Sequence, residues 1–133
     1  MNGQMHLARQ WLAKAENDLL NADNNLKSEV VPCDTVCFHC QHAAEKLLKA
    51  YLVGKGVQPP FTHDLLLLLE KLLPYCANAE MLRDDLALLM PYAVAARYPD
   101  EFFMPSRDDT LEARDAAQHV LDWLGEHMER LFL

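Results

Sequence analysis

Apolar residues return every three or four positions through the first part of the chain, at Leu7, Trp11, Ala15, Leu19, Ala22 and Leu26. That spacing draws one stripe along a helix of about six turns. Lys14, Glu16, Asn17, Asp18 and Asn21 fall on the sides left for water. Pro32 punctuates the pattern, and Asp34 or Thr35 has the side-chain chemistry to cap a second helix. Its stripe runs through Cys37, Cys40, Ala44, Leu47, Leu48 and Tyr51. Gly54-Lys55-Gly56 supplies a left-handed ending, and Pro59-Pro60 forbids continuation.

Thr62 opens a third, shorter helix through the leucine block to about Leu73, with Pro74 just beyond. Asn78 is positioned to cap a fourth helix carrying Leu82, Leu86 and Leu89, which Pro91 bends so that Ala93 to Ala96 stays helical. A loop follows from Arg97 to Pro105. Asp109, with Glu112 three residues later, resembles a capping box for the last helix, whose buried line is Ala113, Ala117, Val120, Leu124, Met128 and Leu131. No two-residue alternation competes anywhere. Short connections between amphipathic helices imply antiparallel packing, so the expected fold is all-α, an up-and-down helical bundle of four to five helices.

Composition narrows the class. With 133 residues, 51% hydrophobic, four Gly and seven Pro, residues 1–133 are expected to form a single domain with a real core. No unbroken apolar run exceeds the five residues of Leu65 to Leu69, far below the roughly 20 residues of a membrane span. Residues 1–15 show no basic leader followed by an apolar block, so a cytoplasmic location is expected and the four Cys read as thiols. The net charge is −8, and all of it lies in residues 61–133, where six basic side chains face fourteen acidic ones. A protein that tracks nucleic acid through its overall field would be basic, so any RNA contact needs a local cluster.

Three groups of residues carry candidate chemistry. Cys33, Cys37 and Cys40 have a spacing used by iron–sulfur clusters, but 33, 37 and 40 also trace the buried face of a helix, where a thiol packs as a small hydrophobe. His39 and His42 point about 100° or more away from that line, and Cys76 sits alone near a helix end, so no metal site is expected in the chain. His39, His42, Lys46 and Lys49 share a second stripe, the one concentrated positive patch in the chain. It reads either as a solvated face or as a polar seam, meaning a subunit interface or a phosphate contact with the lysines as point charges. Arg114 precedes His119 by five residues in the last helix. At 100° per residue the two lie roughly 140° apart, on opposite flanks of the buried line, and converge poorly within one chain.

The stretch CFHCQHAAEKLLKAYL, Cys37 to Leu52, resembles the signature helix of HEPN domains, the "higher eukaryotes and prokaryotes nucleotide-binding" family. Thr62-His63-Asp64-Leu65 and the run from Pro91 to Asp100, with Arg97-Tyr98-Pro99, look like the next two landmarks. Trp11 and Asp18-Leu19 match the usual start, so the resemblance spans nearly the whole chain.

The resemblance implies a helical bundle that forms a homodimer through its long helices and needs no cofactor. Small prokaryotic members often pair with a minimal nucleotidyltransferase in toxin–antitoxin-like systems. Many members are metal-independent endoribonucleases whose motif is Arg, a polar residue, then His four to six positions beyond the Arg. Arg114, Asp115 and His119 satisfy that pattern, with catalysis expected where the motifs of two subunits meet. In that reading the RNA 2′-hydroxyl attacks, His119 moves the proton, Arg114 steadies the phosphorane and Asp115 orients one of them. In the branch carrying the Arg97-Tyr98-Pro99 landmark the catalytic pair is often missing, and Arg97 is then the expected cation at the dimer seam. The leading expectation is therefore a non-catalytic module that binds a nucleotide or a nucleotidyltransferase partner through His39, His42, Lys46, Lys49 and Arg97. The alternative is a toxin ribonuclease.

Overall fold

The buried face of the first helix, α1 (Asn2–Leu26), runs Ala8, Leu12, Ala15, Leu19 and Ala22 in the computed structural model, which describes residues 2–94 and 104–133. This stripe starts one residue later than the expected one. Leu7 is 47% exposed and Trp11 and Leu26 are half-buried, because small Ala8 sits beside Gly54 of the second helix while Leu7 and Trp11 turn to the rim. Asp18, expected in water, is buried at 7% exposure.

The second helix, α2 (Cys33–Gly54), is the axis of the fold. It packs along α1 and also touches every later helix, and not one of its residues is exposed. Its expected stripe is buried throughout, and Gln41, Glu45 and Lys49 are buried with it. No side chain caps its start: Pro32 holds the N-cap position, and Asp34 accepts from the Thr35 amide instead. The left-handed exit falls on Gly56, with φ of 81°. At Gly54 the end of the Met128 side chain packs against the bare backbone and would have to shift for any Cβ.

The third helix, α3 (Leu65–Leu72), begins three residues later than expected. Asp64, not Thr62, is the cap, because its carboxylate can accept from both the Leu66 and Leu67 amides. The expected Asn78 helix divides into a 3₁₀ turn (Ala77–Leu82) and α4 (Arg83–Leu89), followed by a further 3₁₀ turn (Met90–Tyr92). Asn78 is no cap, for its side-chain oxygen accepts from Trp123 Nε1 at 3.0 Å. Pro91 sits in that second turn, Ala93 and Val94 form a bend, and residues 95–103, which include Arg97, lie outside the described residues.

The last helix, α5 (Arg107–His127), starts on a capping box built from Ser106 and Asp109 rather than from Asp109 and Glu112. Its expected buried line is buried along its whole length, joined by Ala116 and Trp123. A closing 3₁₀ turn (Glu129–Phe132) returns Leu131 to the core.

Side-chain pairs fix the directions. Gln4 meets Gly54 and Asp18 meets His39 and Lys46, so α1 and α2 are antiparallel. Asp23 meets Arg114 and Arg9 meets Arg130, so α5 is antiparallel to α1 and descends beside α2. The short α3 and α4 make the return leg. The result is an all-α up-and-down bundle around one hydrophobic cluster, with no strand among the described residues.

Candidate functional site: a polar seam along the central helix

The stripe of His39, His42, Lys46 and Lys49 faces neighbouring elements rather than open solvent. Asp18 of α1 accepts from His39 Nδ1 at 2.9 Å and from Lys46 Nζ at 2.6 Å. One turn further, Glu45 accepts from Lys49 Nζ at 3.0 Å and from His63 Nδ1 at 2.7 Å. The side chains of Glu45 and Lys49 are only 5% and 7% exposed, a depth at which two opposite charges persist only as a hydrogen-bonded pair. His42 Nε2 donates to the carbonyl of Ala93 at 3.0 Å, and its ring lies tilted against Phe38 with centroids 4.1 Å apart. The positive patch of the sequence is thus neutralised in place, each lysine by one carboxylate.

The seam continues into a cleft of about 470 Å³ at one end of α1 and α2, lined by Gln4, Leu7, Trp11, Lys49, Val57 and Phe61. The Lys49 ammonium lies 5.5 Å from the Trp11 ring centroid, within cation–π range. The Phe61 ring is fully exposed. Polar seam and apolar cleft together form a surface with one charged wall and one aromatic wall.

Arg114 and His119 are not brought together. Arg114 turns toward α1, where its Nε and Nη2 donate to the two oxygens of Asp23 at 2.7 and 3.2 Å. That bond holds the guanidinium proton more tightly than usual, while Arg114 Nη1 is buried with no hydrogen-bond partner among the described residues. His119 turns toward α4, its Nδ1 at 3.2 Å from both oxygens of Asp85, with the side chain 59% exposed. Asp115 is exposed on the turn between them. The roughly 140° between Arg and His positions is therefore realised as two separate flanks of α5.

Cys37 and Cys40 are fully buried, and Cys37 bonds to Thr110 at 3.9 Å. Burial pushes the Cys37 thiol up to about 11 and the Cys40 thiol up to about 12. They behave as core atoms. The residues that sequence reasoning missed are the acidic partners Asp18, Asp23, Glu45 and Asp85, together with His63. Asp18 and Asp23 sit five apart on α1, off its apolar stripe, and nothing in their local spacing distinguishes them from solvated carboxylates.

The HEPN domain family profile matches residues 8–128. Among solved structures, the crystal structure of TT1696 from Thermus thermophilus superposes with a TM-score of 0.78 at 31% sequence identity, over 90% of this chain and 96% of that one. No match is found among curated proteins.

Proposed function

Since the chain belongs to the HEPN domain family, we propose that it acts as a non-catalytic helical module, a homodimer that binds a nucleotide or a minimal nucleotidyltransferase in a toxin–antitoxin-like pair. The observation that carries this reading is the use made of Arg114. Its guanidinium is committed to Asp23 across the α1–α5 contact, on a flank that His119 does not share. An arginine that closes a bidentate ion pair with its own chain has fewer donors left for a phosphorane. The acidic half of the chain suits a protein partner with basic surface better than a polyphosphate backbone. Arg97 belongs to the proposed binding set with His39, His42, Lys46 and Lys49.

A ribonuclease reading keeps one observation in its favour. The His119 ring is open to solvent and oriented by a carboxylate, as a proton-transferring imidazole would be. It requires Arg114, Asp115 and His119 of two subunits to assemble one site. The experiment incubates the purified protein with RNA in the presence of a chelator, beside Arg114→Ala and His119→Ala. No cleavage by the parent is expected, together with co-elution from a sizing column with the co-expressed nucleotidyltransferase. Chelator-resistant cleavage by the parent that both variants lose would establish the ribonuclease instead.

A further inference from the structure

We propose that His42, Glu45 and His63 form a binding site for a divalent transition-metal ion of the zinc class. One ligand atom from each of the three lies within 4.8 Å of the others, on side chains that come from two separate elements. His42 and Glu45 are one helical turn apart on α2, so both project from the same face. His63 arrives from the connection before α3, and its own carbonyl is held by Gln41 Nε2 at 2.9 Å. That bond holds the His63 backbone to a buried side chain, while the ring itself is oriented by Glu45 Oε1. The two imidazole rings stand 5.3 Å apart between centroids.

Two imidazole nitrogens and one carboxylate oxygen are a zinc-class donor set rather than a calcium or magnesium set, which would be all oxygen. In a tetrahedral site the ligand atoms sit roughly 3.4 Å apart, given metal–ligand bonds of about 2.1 Å. His63 Nδ1 and Glu45 Oε1 are now 2.7 Å apart with a proton between them. The ion takes the place of that proton, which leaves Nδ1 for solvent, and the two atoms separate by about 0.7 Å. His63 is 65% exposed, so its other ring nitrogen can carry a proton in water. His42 Nε2 is 3.0 Å from the Ala93 carbonyl, so Nδ1 is taken as the His42 ligand atom, with the Nε2–H bond to that carbonyl as its outer-shell support. Lys49 keeps Glu45 Oε2, so Glu45 binds through one oxygen and the fourth position is open to water. The ion clips the connection after α2 back onto α2. This inference stands apart from whether the protein cleaves RNA.

The test titrates the purified full chain with Zn²⁺ by calorimetry, and with Co²⁺ by visible absorption. One equivalent of each metal is expected to bind, with a tetrahedral Co²⁺ spectrum free of thiolate charge-transfer bands. His63→Ala and His42→Ala, made separately and checked for native helicity, should each weaken binding by about tenfold or more. A Cys33→Ser/Cys76→Ser variant should bind as the parent does. Absence of binding by the parent, undiminished binding by His63→Ala, or binding lost with the cysteines would each overturn the site.

Discussion

Replacing Cys40 by alanine tests the electrostatics of the core through pH alone. Its thiol ionises near 9.0 in an exposed chain but is pushed up to about 12 by burial, with Cys37 pushed to about 11. Between those values the unfolded chain has lost protons that the folded chain keeps, so stability falls as pH rises above about 9. The melting temperature of the parent should therefore decline more steeply from pH 9 to 11 than that of Cys40→Ala. For the same reason a disulfide-exchange reagent at pH 8 should modify Cys33 and Cys76 in the native protein, and Cys37 and Cys40 only after unfolding. A second test concerns Arg114. A double-mutant cycle with Arg114→Ala and Asp23→Asn, read by urea denaturation, should return a coupling of about 1 kcal/mol. The guanidinium is 18% exposed and Asp23 42%, so screening keeps the pair modest. These roles were only partly legible in the sequence. The helical spacing of Cys37 and Cys40 gives their core placement directly, since one element decides it, whereas Cys33, on the same line at the helix start, stays half-buried. The partners of Arg114 and Lys46 lie 91 and 28 residues away, and local spacing carries no information about which carboxylate tertiary packing will deliver.

Individual helices repeat this division between what periodicity fixes and what caps decide. The buried line of α5 follows from its apolar spacing because many positions agree on one phase. The phase of α1 is less constrained, since Leu7 and Trp11 are as apolar as Leu12 and the alternative stripe differs by one residue. The two stripes share Ala15, Leu19 and Ala22, and they part only at the first two turns, where small Ala8 is fully buried beside Gly54 of α2. Helix starts depend on a single side chain, and several residues near each start have suitable chemistry. Thr62 and Asp64 both qualify before α3, and the structure uses them together, Thr62 Oγ1 accepting from the Asp64 amide while Asp64 caps the helix. Asp64→Ala should cost about 1 kcal/mol in urea denaturation, and Thr62→Ala clearly less, because Asp64 alone satisfies two orphan amides. A larger loss from Thr62→Ala than from Asp64→Ala would place the cap on Thr62.

Across the whole molecule, apolar contact and charge are arranged in different ways. The hydrophobic cluster runs through every helix, while ion pairs tie α1 to α2, α1 to α5, α3 to α4 and α4 to α5. No helix among the described residues is long and apolar enough to cross a membrane. The enclosure of α2 by all the other helices reaches furthest, because none of its residues is exposed from Cys33 to Gly54. In deuterated solvent its central amides can be reached only when the entire assembly opens. They should exchange last, at a rate set by global stability, while the amides of α3 and α4 exchange earlier through local openings. Tight binding of a metal at His63 would then slow the start of α3 without altering the middle of α2.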